Sequence, residues 1–415
     1  MVIRFNNLIQ KLMNRNLRKL SGIAQKEKRK IIGLMSGTSL DGLDIALCEI
    51  TGAGKHTTVR VEEFITKPYS EKIQNRLKKI TSVETVDLKE ICYQHRWLGV
   101  IHAKLILEAL DQWGTDRAEV DAIASHGQTI YHYPAQDQQE IPEPLHTTLQ
   151  IADSDTIAVE TGIITIGDFR QKHIAHGGEG APLASYVDNL LFRDSTEPRI
   201  LLNIGGIANY TYLPPAKSSK KSFTTDTGPG NTLIDRLTEI YFKKPFDRDG
   251  EIAESGKVHK KLIEALLSDP WFRNEKSRST GPEYFNTIWM RNVADETGID
   301  FDDIKPSDLI ATATELSGKT IANNMKREID DFGKCEIYVS GGGAHNTVLI
   351  QSIRDNSGSA VIRDFRDLGF DPDAKEALIF AVLANETLAG KGFEFETYSG
   401  EKKQIQFGKI SFPDA

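Results

Sequence analysis

Two hairpin patterns organise the hydrophobic positions of the chain. Apolar residues dominate 30–50, and a turn of small and polar residues at 36–42 interrupts them. The same order recurs over 199–213, where Gly205 and Gly206 form the interruption. An apolar strand, a short turn and a returning strand are typical of a β-hairpin. We therefore predict one hairpin in each half of the chain, built on similar cores.

Apolar residues spaced three and four positions apart predict helices between and after the hairpins. The predicted helices cover residues 88–113, 231–243, 258–267, 283–296, 307–331 and 373–389. Short apolar runs at 120–125 and 335–339 predict two further strands. Because strands and helices alternate along the chain, the pattern favours an α/β fold.

Length and charge narrow the class of protein. The 415 residues suit two lobes of about 150–200 residues each. Residues 1–30 carry nine Lys or Arg and one Glu, although the whole chain has a net charge of −8. We predict that 1–30 form a basic tail, disordered or loosely helical, with a surface-binding amphipathic helix as the alternative. The acidic remainder argues against nucleic-acid binding, because a phosphate backbone requires a basic face.

The sequence lacks the patterns that are typical of membrane proteins, disulfide-rich proteins, metalloproteins and hydrolases. No run of about 18 apolar residues occurs, so we expect no membrane insertion. The cysteines (Cys48, Cys92 and Cys335) lie far apart and form no disulfide framework or metal-binding pair, which suits a reducing cytoplasm. The histidines are not spaced as ligands of a transition metal, and no hydrolase nucleophile elbow is present.

The first hairpin turn is the strongest candidate for a phosphate-binding site. Its glycines allow backbone N–H groups to approach phosphate oxygens, and its hydroxyls can donate further hydrogen bonds. Asp41 or Asp44 can hold Mg²⁺ through water, and we assign the metal to Asp41. An ordinary hairpin turn explains the same residues equally well. The candidate ATP-binding residues here are Gly37, Thr38, Ser39, Leu40, Asp41, Gly42, Leu43 and Asp44.

Two glycine-rich turns in the second half extend this candidate site. Gly205 and Gly206 form a second possible phosphate clamp. Gly341, Gly342 and Gly343 follow a predicted strand and open a helix, where a flat backbone can pack on an adenine ring and ribose. Taken alone, the Gly205–Gly206 turn is weak evidence, and the glycines at 341–343 are also explained as an ordinary helix-entry turn. We predict that both bind ATP because of the order in which they occur.

Polar residues elsewhere supply candidates for the chemistry. Asp226 precedes a predicted helix, where its carboxylate can act as a general base or simply cap the helix. Asp168 and Arg170 can grip a sugar and its carboxylate, or form a structural ion pair. The segment 247–250 is better explained as a tight turn than as a site.

The motifs resemble the signatures of the anhydro-N-acetylmuramic acid kinase family, and the similarity covers about residues 31 to 412. The matching motifs are residues 33–44 (GLMSGTSLDGLD), 125–129 (SHGQT), 168–170 (DFR), 180–183 (GAPL), 203–206 (NIGG), 226–231 (DTGPGN), 285–286 (FN), 341–343 (GGG) and 375–377 (KEA). The family is a branch of the superfamily of sugar kinases, heat-shock ATPases and actin. The resemblance implies a two-lobed, actin-like or hexokinase-like ATPase fold with the active site in the cleft between the lobes. We place the lobes at 31–190 and 191–415.

The resemblance also implies the reaction. ATP, water and 1,6-anhydro-N-acetylmuramic acid would give N-acetylmuramic acid 6-phosphate and ADP, with Mg²⁺, during cytoplasmic recycling of cell-wall peptidoglycan. By position, Asp226 resembles the family's general base and Glu376 the carboxylate that places water and sugar. Thr129, Asp168 and Arg170 fall where the substrate would bind. A homodimer is implied as well.

A few positions depart from the family pattern near the expected sugar pocket. These are Ala152, His173, His176, Glu179 and Pro282. They affect the choice of sugar more than the phosphoryl chemistry, so a related anhydrosugar kinase, such as one acting on levoglucosan, remains an alternative. A non-catalytic, nucleotide-dependent sensor on the same fold is a second alternative, because fold does not fix function.

Overall fold

The computed structural model describes residues 14–37, 39–181, 183–273, 280–281, 283–396 and 401–414. The strands are β1 (Lys28–Ser36), β2 (Gly42–Thr51), β3 (Thr58–Pro68), β4 (Ala122–Tyr133), β5 (Thr147–Ile151), β6 (Thr165–Gly167), β7 (Arg199–Ile204), β8 (Ile207–Leu213), β9 (Phe223–Pro229), β10 (Glu336–Ser340), β11 (Val361–Asp364), β12 (Phe393–Glu396), β13 (Lys402–Ile405) and β14 (Lys409–Ser411). The helices are α1 (Arg15–Gln25), α2 (Glu71–Leu77), α3 (Leu88–Trp113), α4 (Ser154–Thr161), α5 (Phe169–Ala175), α6 (Ala184–Leu191), α7 (Thr232–Phe242), α8 (Glu251–Ser255), α9 (Lys260–Leu267), α10 (Pro270–Arg273), α11 (Thr287–Glu296), α12 (Pro306–Glu328), α13 (Thr347–Asn356) and α14 (Lys375–Ala389).

The chain divides into two compact units. The first comprises Met1–Leu191 together with Asp373–Ala415, and the second comprises Phe192–Pro372. Both predicted hairpins are present, as β1–β2 and β7–β8. The predicted helix at 88–113 coincides with α3, and the other predicted helices agree with observed ones to within a few residues, most closely for α7.

Both units are built on the same arrangement of strands. In the first unit the order β6-β4-β1-β2-β3 forms the centre of the sheet, and in the second unit the order is β11-β10-β7-β8-β9. In each unit three consecutive strands pair antiparallel, and two further strands join in parallel, β4 and β6 in the first unit and β10 and β11 in the second. The expectation that the two halves share a similar core is therefore met at the level of topology.

The structure differs from the predicted domain boundaries at both ends of the first unit. Residues 15–25 form helix α1, whose Ile23 is buried, so ordered structure begins before residue 30. The last segment, 373–415, belongs to the first unit. Helix α14 lies so close to β1 that a Cβ atom on Gly33 would be 1.9 Å from the carbonyl oxygen of Ala377.

Apolar side chains on the sheet faces form the cores. In the first unit, Ile32 and Ile45 from the sheet pack with Leu98 and Ile106 of α3. In the second unit one cluster covers the sheet, and another holds α7 against the helices around α12. These cores fix the strand ends from which the candidate site residues project.

Candidate functional site

The first hairpin turn joins β1 to β2, and its described residues are 37 and 39–41; Thr38 lies outside the described residues. Leu40 has a left-handed backbone (φ 58°) and a buried side chain, which anchors the turn in the core. Ser39 donates a hydrogen bond to Asp41 at 2.7 Å on the exposed side. The turn therefore presents polar groups outward from a fixed apolar anchor.

A chain of buried hydrogen bonds holds the start of this turn. Gln128 donates to the carbonyl of Gly37 at 3.1 Å, and it accepts from the hydroxyl of Ser36 at 2.6 Å. Tyr69 donates to Ser36 at 2.9 Å and lies 2.7 Å from His102 Nε2. Burial lowers the pKa of His102 to about 3, so the ring is neutral and donates to the tyrosine oxygen. These buried hydrogen bonds restrict the geometry at the start of the turn.

Three carboxylates of the first unit influence one another electrostatically. Thr66, opposite on β3, donates to Asp44 at 2.6 Å, but burial raises the pKa of Asp44, and Asp41 adds to the rise. Glu376, in the first turn of α14, has an exposed side chain, yet surrounding protein desolvates it and raises its pKa, with Asp44 contributing. Lys375 opposes that rise. Mutually repelling carboxylates favour a bound cation.

The donor set fits a cation that brings most of its own ligands. Within the described ranges, no group of three or more His, Cys, Asp or Glu side chains is arranged to enclose a metal ion. Mg²⁺ in phosphate-handling sites is held by one or two carboxylates, with waters and phosphate oxygens completing the shell. Asp41, predicted for this role, is exposed beside Asp44.

Arg170, on α5, is held in a fixed position. Its Nε donates to His126 Nε2 at 2.9 Å, and its Nη1 donates to the carbonyl of Gly180 at 2.9 Å. Burial lowers the pKa of His126 to about 3, so this ring is neutral and accepts the bond. Burial also lowers the pKa of Arg170, while the charge of Glu376 opposes that change. The structure therefore brings the predicted residues Arg170 and Glu376 into one electrostatic environment.

The two other predicted substrate residues have different surroundings. Thr129 accepts a hydrogen bond from Gln150 at 3.1 Å and lies on β4 beside β5. Asp168 has a left-handed backbone (φ 54°), and Lys409 of β14 pairs with it at 2.8 Å. Asp168 thus forms a structural ion pair, which was one of the two alternatives for it. Its partner is Lys409, which is distant in sequence, and not Arg170.

The family departure at His173 is a buried side chain that holds a loop. His173 Nδ1 accepts from the backbone N–H of Gly180 at 3.0 Å, and Tyr186 lies 3.4 Å from Nε2. Arg170 and His173 thus bind the two sides of the same residue, Gly180. Burial lowers the pKa of His173 to about 4, so it is neutral near pH 7. Pro282 lies outside the described residues.

In the second unit, the hairpin turn at Gly205 and Gly206 is joined to the segment that enters α7. Gly230 donates to the carbonyl of Gly206 at 2.8 Å, and Asn231 donates to that of Gly205 at 2.8 Å. A Cβ atom on Gly230 would lie 2.3 Å from the Gly205 oxygen, so only glycine permits this approach. The second phosphate-clamp candidate is therefore rigid.

Asp226 lies on β9, opposite Asn209 of β8, beside a bulge in the pairing. Bulges redirect side chains, and they are common next to active sites. The backbone N–H of Thr280 donates to its Oδ2 at 2.9 Å. Burial raises the pKa of Asp226, and the bond from Thr280 only partly offsets the rise. A desolvated carboxylate of this kind is suited to accept a proton.

The glycines at 341–343 follow β10 and pack on the end of β7. Gly341 has φ 82°, and a Cβ atom there would lie 2.6 Å from Asn203 Oδ1. Gly342 borders a cavity of about 460 Å³, whose other walls are α7, the turn at 246–249 and the start of α13. The cavity is large enough for a nucleoside, and nucleotide binding at this turn stays a prediction.

Sequence reasoning missed part of this cavity. The segment 247–250 is a turn, as predicted, with Asp249 at φ 55°, but it also lines the cavity with Phe246 and Arg248. Asp235 of α7 lines it too. The only sequence signal for Asp235 was a carboxylate four residues after the 226–231 motif, and this signal does not differ from that of a solvent-exposed helix position.

The repeated sheet, with a glycine-bearing hairpin in each unit, places the chain in the class of actin-like or hexokinase-like folds. A family model described as "Anhydro-N-acetylmuramic acid kinase" matches residues 29–413. The chain belongs to this family.

Among the described residues, no helix is long and apolar enough to cross a membrane.

Full-length relatives support the same assignment. The chain is 43% identical over 404 residues to the anhydro-N-acetylmuramic acid kinase of Pseudoalteromonas atlantica, covering 97% of this chain and 100% of the relative. It is 42% identical over 406 residues to that of Pseudoalteromonas translucida, with the same coverage. The kinase of Caldanaerobacter subterraneus is 37% identical, with 95% and 99% coverage.

Proposed function

We propose that this protein is an anhydro-N-acetylmuramic acid kinase. It would use ATP and water to convert 1,6-anhydro-N-acetylmuramic acid to N-acetylmuramic acid 6-phosphate and ADP. The observation that carries the proposal is the similarity to kinases of that name over 97% of the chain. The three cysteines are free, which suits action in the cytoplasm on recycled cell-wall material.

Asp226 is the proposed general base. It removes a proton from water as the water oxygen bonds to C1 of the sugar. The bond between C1 and O6 breaks, and O6 takes the terminal phosphoryl group of ATP, whose bond to the bridging oxygen of ADP breaks. The raised pKa of Asp226 supports this role, because a carboxylate of higher pKa is a stronger base.

Backbone and charged groups would hold the two substrates. The turn residues Gly37–Asp44 and Gly205–Gly206 would donate N–H groups to phosphate oxygens. Mg²⁺, when bound through Asp41, would neutralise phosphate charge. Arg170, held by His126 and Gly180, would face the lactyl carboxylate of the sugar, as a buried guanidinium suits a carboxylate partner.

The test is turnover by the purified protein with 1,6-anhydro-N-acetylmuramic acid, ATP and Mg²⁺. We expect ADP release matched by a product carrying one phosphate and one added water. Asp226→Asn should lower kcat by at least about 100-fold and leave ATP affinity nearly unchanged, because it removes only the base. Asp303→Asn, at an exposed position of the same unit, is the matched control.

Three results would contradict the proposal. Near wild-type turnover in Asp226→Asn would remove that residue from the chemistry. A higher kcat/KM for levoglucosan than for the muramic acid derivative would assign a different sugar, and complete absence of turnover would leave a nucleotide-binding sensor.

A further inference from the structure

We propose that Asp235 recognises the ribose hydroxyls of the nucleotide in the cavity of the second unit. This inference depends on the proposed function only because it assumes that the bound nucleotide is ATP. It assigns a specificity residue for ribonucleotides that lies outside every motif of the sequence.

The cavity has the size and the walls that a nucleoside needs. Its volume is about 460 Å³, and one side is formed by Gly342, where no side chain intrudes. Phe246, which also lines the cavity, presents an aromatic ring, with the Arg248 guanidinium 5.6 Å from its centroid. An aromatic ring and a guanidinium plane are surfaces on which a purine stacks.

The two fully buried polar side chains of the cavity, Asp247 and Asn346, already have partners. Asp247 accepts from the backbone N–H groups of Ile252 and Ala253 at 2.9 and 3.0 Å, one on each carboxylate oxygen. Asn346 caps α13 by accepting from Leu349 at 3.0 Å. These groups maintain the walls and leave little capacity for a ligand.

Asp235 differs from them. Its side chain lines the cavity and is half-buried, and no described residue donates a hydrogen bond to its carboxylate. A partly desolvated acceptor without a donor is destabilised until a ligand supplies one. Vicinal hydroxyls can donate one bond to each carboxylate oxygen, and ribose is the part of ATP that carries such a pair.

The electrostatics agree with this role. Burial and the neighbouring Asp247 raise the pKa of Asp235 to about 6, so the carboxylate is ionised near pH 7 but poorly solvated. Hydroxyl donors would replace the missing solvation without adding charge. A phosphate group, by contrast, would be repelled by the two carboxylates. The pair therefore favours the nucleoside end of ATP at this position.

The experiment measures binding of ADP and of 2′,3′-dideoxy-ADP by titration calorimetry, with no sugar present. Wild-type protein should bind ADP at least about ten times more tightly, as expected for hydrogen bonds to a charged group. Asp235→Ala should lose this preference, weakening ADP about ten-fold while leaving dideoxy-ADP within about two-fold. Asp235→Asn, which keeps one acceptor oxygen, should retain part of the preference.

The control is Glu239→Gln, on the same helix, where the side chain is exposed and pairs with Arg236. It should bind both nucleotides as wild type does. Equal weakening of both nucleotides in Asp235→Ala would show a structural role and overturn the proposal, as would no weakening of either. The binding experiment uses no sugar, so its result does not depend on the proposed reaction. If the protein prefers ADP over dideoxy-ADP but does not turn over the sugar, the proposed function is refuted and the role of Asp235 is not.

Discussion

Burial raises the pKa values of several carboxylates in this protein, and the neighbours of each carboxylate modify that rise. Asp226 and Glu376 both have raised pKa values, but a backbone N–H bonds to the first, whereas other charges surround the second. Asp44 has Thr66 as a donor and Asp41 as a repelling neighbour. The direction of each pKa shift therefore follows from what each carboxylate faces.

The pH dependence of turnover should reflect the raised pKa of Asp226. A base must be deprotonated, so kcat/KM should fall as the pH drops through this pKa, at a midpoint above the value of about 3.9 for an ordinary Asp. Measurement of kcat/KM from about pH 4 to 8 checks this. The residual activity of Asp226→Asn should lack that acid limb; an unaltered limb in the variant would assign the titration to another group.

The chemistry-bearing residues divide into those visible in the sequence and those visible only after folding. The glycine turns and Asp226 were predictable, because close backbone approach and motif order constrain residue type locally. The cavity position of Asp235 was not, because its neighbours at 246–249 and 342–346 come from segments distant in sequence. His173 appeared as a departure in the sugar pocket, and the structure shows that it holds Gly180.

At the scale of elements, close packing of α14 on β1 determines how the first unit is closed. The approach depends on Gly33, since the carbonyl oxygen of Ala377 occupies the space of a Cβ atom. Hydrophobic periodicity predicted both elements well, at 30–35 and 373–389. Periodicity identifies an apolar face but not its partner, so the pairing of a first strand with a last helix could not be predicted.

Gly33→Ala should therefore destabilise the protein. The added methyl group would force β1 and α14 apart, at a cost of about 1–3 kcal/mol as for other overpacked cores. Urea unfolding followed by circular dichroism would measure the loss. The control is Gly22→Ala in α1, where no atom lies within 4 Å of the added Cβ; it should be neutral or stabilising, as alanine favours helices. Equal stability of both variants would contradict the packing argument.

At the scale of the whole molecule, the repeated strand order accounts for the two hairpins found in the sequence. The fold class was predictable because alternating strands and helices and two similar hairpins are local patterns. The domain boundaries were less predictable than the fold class. The last segment belongs to the first unit, and α1 extends the ordered region before residue 30. Neither feature alters the local hydrophobic pattern, so the domain boundaries could not be predicted from that pattern.

We also propose, from the family resemblance, that the protein is a homodimer. Light scattering on a sizing column should then give a mass of twice the 46.3 kDa of one chain. The mass should persist on dilution through the micromolar range. A mass of a single chain at every concentration would contradict the proposal.

The return of α14 to β1 has a consequence for biosynthesis. Residues 192–372 form a complete unit of their own and can fold while the ribosome is still translating the remainder. The first unit is started first but completed later, because β1 lacks its contact with α14 until residues 375–389 have been made. A chain that stops after residue 372 would therefore contain the whole second unit but an incomplete first unit.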